Sequence, residues 1–341
     1  MGQFSQCGYR RISGLFGHGL RQVLWALVLC AAGCGHYRPP TIAVIPRTEG
    51  TNIWEAAHVG AETAAANTGT SIYWIAPTRE DDIEAQIRLV NRIIKGHYAG
   101  LVLAPDQALS LISPVRRALS RGIPTVIIGS PLPIPAGGNL SYILNDDEAG
   151  GRYAAQRVAT LLHGHGTVAI LGLNPDVSST MIRARAIEQS LAKNYPRIHI
   201  ATERMGTFNA PHEQQVAEDA LRTHPDLEVI VTLMSTTLDG TLSALHAAPR
   251  SRRVKVIGFD SASLPSFDDN PELDCVIQED TRAMGRKAIE LIHARMLGQP
   301  VPAMTHLEPT VITRDNLNSA SVRHMLSQDW TLGRWKWSPT Q

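Results

Sequence analysis

The sequence predicts an α/β fold of two doubly wound parallel-sheet lobes, on three observations. Short apolar runs rich in Ile and Val alternate with helical stretches of about 10–18 residues, the pattern of crossover units on parallel sheets. The alternation completes one half of the chain and then begins again. The composition, 43% hydrophobic and 18% charged over 341 residues, is that of a folded chain long enough for two domains.

The first half opens with TIAVIP at 41–46, too short for a helix. An Ala-rich helix is expected near 53–67, then a strand at SIYWIA (71–76). In the segment 81–96, Ile83, Ile87, Val90 and Ile94 fall at helical spacing, with acids at the start and Lys95-Gly96 at the end. LVLAP (101–105), a helix near 107–121 and PTVIIG (124–129) complete the half. In the second half, Asp146-Asp147-Glu148 open a helix near 147–163, followed by TVAILG (167–172), a helix near 178–194 and RIHIAT (197–202). A helix near 212–223, LEVIVTL (227–233), a helix near 236–247 and VKVIGF (254–259) continue the rhythm. DCVIQ (274–278), a helix near 281–297 and one strand near 306–313 close it. Each half carries its own sheet.

Ahead of the first strand, VLWALVLCAAGC (23–34) follows Arg10, Arg11 and Arg21 and ends in small residues before Cys34. That order reads as a bacterial lipoprotein signal over 1–33, with Cys34 acylated as the first mature residue and 34–40 as a tether. An uncleaved signal anchor and an ordinary secretory signal are the alternatives, since Ala31 stands where such signals usually carry Leu. The run is short for a transmembrane span of ~20 residues. The localisation expected is the cell envelope, with the membrane reached through the lipid. The tail 319–341 holds Trp330, Trp335 and Trp337 beside Arg334 and Lys336, and reads either as packing on its own lobe or as a surface for a membrane or partner.

A formal net charge of +1 offers no electrostatic case for nucleic acid. Removal of the signal leaves Cys34 and Cys275, which gives no disulfide framework. His163 and His165 lack a companion Cys or acid cluster, and His212-Glu213 meets Val216 where a zinc-protease helix needs its second histidine. No nucleophile elbow and no phosphate loop is present. Neither an enzyme, nor a metal, nor a cofactor is expected.

The order of these pieces resembles the type I periplasmic binding proteins, especially the ribose- and galactose-binding group, whose fold also forms the effector-binding core of the lactose-repressor family. The carrying segments are TIAVIP with Trp54, GLVLAP, GIPTVIIG, NDDEAGGRYAAQRV, STMIRARAIEQSL, HPDLEVIVTL, VKVIGFD and MGRKAIELIHARMLGQP. The resemblance implies two lobes joined by a three-crossover hinge, with ligand held between them at the carboxyl ends of the strands. It divides the chain into an N-terminal lobe of 40–145 plus 280–308 and a C-terminal lobe of 146–279 plus 309–318.

Sugars are held by aromatic faces and by planar hydrogen bonding to adjacent hydroxyls. The resemblance implies Thr51, Asn52 and Trp54 after the first strand as polar and stacking contacts, with a core anchor as the other reading of Trp54. It implies Arg185 as the ligand-binding arginine, with Arg183 as a surface or hinge residue. Phe208 would close over the ligand. Asp260 would be a strand-end acid facing the ligand, or a helix cap. Glu279 or its neighbour Gln278 faces the cleft, and Asp146 is a hinge contact or an N-cap. Two polar pairs usual in sugar binders are absent, their positions holding Gly129-Ser130 and Met234-Ser235. The function implied is a monomeric extracytoplasmic receptor that binds a sugar or sugar-like ligand and hands it to an ABC importer permease. The alternatives are a receptor for a nucleoside or small acid, and a sensory protein presenting its closed form to a signalling receptor. A helix-turn-helix ahead of residue 41, which a transcription regulator would need, is missing.

Overall fold

A computed structural model describes residues 38–49, 52–79, 81–247, 254–260 and 266–327. The signal segment with Cys34, Thr51, the side chain of Asn52 and the Trp-rich end of the tail lie outside what is described. From Pro40 onward the chain forms one compact unit.

Two six-stranded sheets organise it. Strands β1 (Thr41–Ile45), β2 (Ser71–Trp74), β3 (Gly100–Leu103), β4 (Thr125–Gly129), β5 (Leu140–Asn145) and β11 (Met304–Leu307) form the first, in the order β11-β5-β4-β3-β1-β2. Strands β6 (Gly166–Leu173), β7 (Ile198–Met205), β8 (Val229–Thr232), β9 (Lys255–Phe259), β10 (Leu273–Gln278) and β12 (Thr310–Thr313) form the second, in the order β12-β10-β9-β8-β6-β7. Every pairing is parallel except β10 with β12.

Helices cover both faces of each sheet, which is why the central strands are continuous apolar runs. On the first sheet, α1 (Asn52–Thr68) and α8 (Thr281–Met296) enclose one core with Ile42, Val102 and Ile128. On its other face α2 (Ile83–Lys95) and α3 (Ala108–Ser120) enclose Ile45, Leu103 and Tyr142. On the second sheet, α4 (Asp147–Leu161) and α5 (Ser178–Asn194) bury Val168, Val231 and Phe259. Helices α6 (Ala210–Thr223) and α7 (Ser235–Ala247) bury Leu171, Ile230 and Val276 on the far face, with α9 (Ala320–Leu326) at its edge. Helices α1 and α8 meet backbone to backbone. A Cβ on Gly60 would lie 2.0 Å from the carbonyl oxygen of Arg282, and one on Gly285 would lie 2.0 Å from that of Ala57.

The chain passes between the sheets three times: after Asn145, after Gln278, and at Glu308-Pro309. The first and third passages are tied together where the Asp146 amide donates to the Leu307 carbonyl at 2.8 Å. The Tyr153 hydroxyl also bonds the Glu308 carboxylate there.

Two elements differ from the sequence expectation. Strand β5 stands outside the expected strand–helix alternation, because no helix separates it from β4 and residues 130–139 are loop. The expected single closing strand is two strands, β11 and β12, one in each sheet. Pro309 stands between them, and its missing N–H interrupts a ladder. Cys275 is a free, buried thiol in β10, and burial pushes its pKa up. Among the described residues no helix is long and apolar enough to cross a membrane.

Candidate functional site

Strands from both sheets end at one cleft, where loops leave the carboxyl ends of parallel strands. The first lobe contributes Arg47 after β1, Trp54 from the start of α1, and Gly129 and Ser130 after β4. The second contributes Val177, Ser179 and Thr180 before and at the start of α5, Arg183 within it, and Phe208 after β7. Leu233, Met234 and Ser235 after β8, Asp260 after β9 and Glu279 after β10 complete the lining. The cleft holds about 620 Å³ of unfilled space, part of it open to solvent.

Its floor is a charged cluster. The Arg183 guanidinium donates from Nε to Asp147 Oδ1 at 2.7 Å, from Nη1 to Asp260 Oδ2, and from Nη2 to Glu279 Oε1. Nη1 also reaches the Leu233 carbonyl at 3.3 Å. The plane of the guanidinium lies over Phe259, 4.6 Å from the ring centre. Asp260 Oδ1 accepts from the Glu279 amide at 3.1 Å, so the two acids are ordered as a pair. The Arg183 side chain is 4% exposed, while Asp260 and Glu279 keep 14% and 15%, so the acids reach the cleft and the guanidinium backs them.

Three carboxylates on one guanidinium leave an excess of negative charge out of water. Burial pushes Asp147 up to about 6 and Asp260 up to about 8, against the pull of Arg183, and Glu279 raises both further. Burial opposes the charge on Arg183, but the three acids outweigh it and hold the guanidinium above its usual value. Asp260 also sits at φ 49°, in the left-handed region that few non-glycine residues occupy. Such local strain is held by the surrounding hydrogen bonds.

The structure brings Trp54, Phe208, Asp260 and Glu279 to this one cleft. Trp54 does so while buried in the core beside Ala57 and Met284, the position of a core anchor. Asn52 is the first residue of α1. Gln278 ends β10, buried opposite Thr310 of β12. Asp146 is the N-cap of α4, its Oδ1 accepting from the Ala149 amide at 2.8 Å.

Arg185 is corrected. It is exposed on the outer side of α5, and the arginine in the cleft is Arg183. Two residues are about 200° apart around a helix, so the two side chains leave on nearly opposite sides. The phase was present in the sequence: Thr180, Ala184, Ile187 and Leu191 form the buried stripe, and Arg183 falls on it.

Sequence reasoning also missed Asp147, Arg47 and Glu213. Asp147 meets Arg183 because Gly151, one turn on, lets α4 press against α5. A Cβ there would lie 2.5 Å from the Ala186 Cβ and 2.6 Å from the Arg183 carbonyl oxygen. Arg47 crosses to the Ser130 hydroxyl at 2.5 Å and the Pro105 carbonyl at 3.1 Å, bringing a cation to the region of the absent polar pair. Glu213, fully buried, accepts from the Thr207 amide at 2.6 Å and the Thr237 hydroxyl at 2.7 Å, and thereby holds the loop that carries Phe208. Among the described residues no group of three or more His, Cys, Asp or Glu side chains is arranged to hold a metal ion.

Comparison with known proteins agrees with this architecture. Residues 42–300 match the family described as periplasmic binding protein domain. The D-allose-binding periplasmic protein of Escherichia coli strain K12 is 23% identical over 268 residues, covering 76% of this chain and 86% of that protein. A solute binding protein of an ABC transporter from Burkholderia graminis, in complex with D-arabinose, superposes with a TM-score of 0.75 at 25% identity, covering 83% of this chain and 98% of that one. An ABC transporter solute binding protein from Agrobacterium vitis, bound with alpha-D-tagatopyranose, gives 0.76 at 23% identity over 84% and 98%. With its two parallel-sheet lobes, three crossings and cleft between them, the chain belongs to the periplasmic binding protein family.

Proposed function

We propose that this cleft takes a sugar and that the protein delivers it, outside the cytoplasm, to an ABC importer. The observation that carries the reading is the meeting of two aromatic side chains from opposite lobes, Trp54 and Phe208, with an ordered carboxylate pair, Asp260 and Glu279. Aromatic faces cover the C–H side of a sugar ring, and carboxyl groups exchange hydrogen bonds with its hydroxyls. Arg183 is already engaged by three acids, so it acts as a positioning residue that holds these oxygens toward the cleft. The sugars named for the relatives above, allose, arabinose and tagatose, support the same ligand class. Ligand selects the closed arrangement of the lobes, and the permease receives that form.

A thermal-shift screen of the protein against pentoses, hexoses, polyols, nucleosides and small acids tests the reading. A ligand bound only by the folded state raises the melting temperature. A sugar-dependent rise that is lost in Asp260→Ala or Phe208→Ala is expected. Silence from every sugar together with a response to a nucleoside or acid would overturn the ligand class. The proposal includes a lipid anchor on Cys34, a single polypeptide as the working unit, and no cofactor. Cys34→Ser then moves the protein from the membrane to the soluble fraction, and unchanged fractionation counts against the anchor.

A further inference from the structure

A second open groove lies apart from the cleft. It runs along the surface of α4 and α5 in the second lobe and holds about 1090 Å³ counted out to solvent. Three cations line it: Arg152 from α4, and Arg185 and Lys193 from α5. Glu148 is the single acid in the lining, and its carboxylate lies 3.7 Å from Arg152, one helical turn away. Arg185 and Lys193 are exposed and pair with no described acid. Arg185, which the cleft does not use, occupies the middle of the groove.

The dimensions narrow the occupant. Ser178, at the head of the groove, and Lys193, near its foot, lie about 22 Å apart along the helix axis at ~1.5 Å per residue. That is too long for a phosphate, a carboxylate metabolite or a monosaccharide, and suits an extended segment of about seven residues at ~3.3 Å each. Arg185 and Lys193 are about 12 Å apart by the same measure, so acids about four residues apart on an extended segment would reach both. A bilayer is flat and would not follow a recess between two helices. The floor is mixed, with Met181 37% exposed, and the Ser178 hydroxyl is buried at the head with no hydrogen-bond partner.

We infer that this groove is a docking site for an extended acidic segment of a partner protein, separate from the sugar cleft. The charge complementarity is local: the lining carries three positive groups and one negative one on a chain whose formal net charge is +1. Charge-assisted contacts of this kind set partner choice and association rate more than they set affinity.

The test uses the full-length protein and a fluorescein-labelled octaglutamate peptide, read by anisotropy. Saturable binding is expected, weakened at least tenfold in R185E/K193E and left unchanged in R88E/K95E, which reverses two charges on α2 of the other lobe. Equal weakening by both variants would reduce the effect to general electrostatics and overturn the site. So would absence of peptide binding, or binding of inorganic phosphate at the same site with equal strength. Attachment to phosphatidylglycerol vesicles without peptide binding would identify a membrane surface instead. The sugar-induced thermal shift is measured on the same variant and is expected to stay at the wild-type value. A variant that keeps the sugar response and loses the peptide fails or succeeds independently of the cleft.

Discussion

Arg183 Nε donates to Asp147 Oδ1 at 2.7 Å, and this bond joins the middle of α5 to the first turn of α4 beneath the cleft. Both side chains are nearly inaccessible, at 4% and 6% exposure. The bond therefore belongs to the architecture of the second lobe as much as to the cleft above it. Its partner acids, Asp260 and Glu279, arrive on loops from two other strands, so one guanidinium gathers three segments distant in sequence.

Loss of that cation should be costly. Arg183→Met leaves three buried or half-buried acids around an apolar side chain, and a loss of about 3–5 kcal/mol is expected in urea unfolding at neutral pH. Arg185→Met, two residues away and exposed, should stay within about 0.5 kcal/mol of wild type. Equal losses in the two variants would contradict the helical phase described for α5.

The same cluster makes stability depend on pH. An unfolded Asp titrates near 3.8, whereas burial in the folded protein pushes Asp147 up to about 6 and Asp260 up to about 8. Between those limits the folded state binds more protons than the unfolded one, so its stability falls as pH rises. The melting temperature should drop by several degrees from pH 5 to pH 8. Asp260→Asn, neutral throughout, should flatten the slope; an unchanged slope would place its origin elsewhere.

Glu213 offers a test of indirect positioning. Glu213→Ala frees the Thr207 amide and the Thr237 hydroxyl, and about 1–3 kcal/mol of stability should go with them. Under the sugar reading the loop carrying Phe208 then loosens. Ligand affinity, measured by calorimetry at a temperature where the variant is folded, should fall several-fold. Full affinity in Glu213→Ala would show that the loop keeps its place without the carboxylate.

Helices α1 and α8 tolerate no side chain where they touch. Gly285→Ala brings a methyl group to 2.0 Å from a backbone oxygen of Ala57, which no rotamer can relieve. A loss of at least 1–3 kcal/mol is expected in chemical denaturation. Gly298→Ala serves as the contrast: it has open space around it, and its φ of +70° limits the cost to backbone strain of about 1–2 kcal/mol.

Most of the fold was legible because its signals are local. The spacing of Ile83, Ile87, Val90 and Ile94 marks one face of α2, and the Asp82 side chain caps it by accepting from the Ala85 amide at 2.9 Å. The β-branched runs in β1, β8 and β9 are buried on both faces, as helix-covered parallel strands must be. The places where the reading failed have physical causes. Strand β5 lacked a preceding helix, and Pro309 divided an apparently continuous strand between two sheets. Of the cleft, Asp260 and Glu279 at strand ends and the aromatics Trp54 and Phe208 were singled out by what the family resemblance implies, and the structure places all four at the cleft.

By itself the sequence determined the elements, their alternation, the two-lobed class and the strand ends at which polar residues collect, because periodicity and chain breaks act over a few residues. Only the tertiary structure decided that Asp147, Asp260 and Glu279 share Arg183, and that Arg47 reaches Ser130 across 83 positions of sequence. Those outcomes depend on how closely α4 and α5 approach at Gly151 and on where two sheets place their carboxyl ends. They are properties of packing between distant segments, and no window of neighbouring residues contains them.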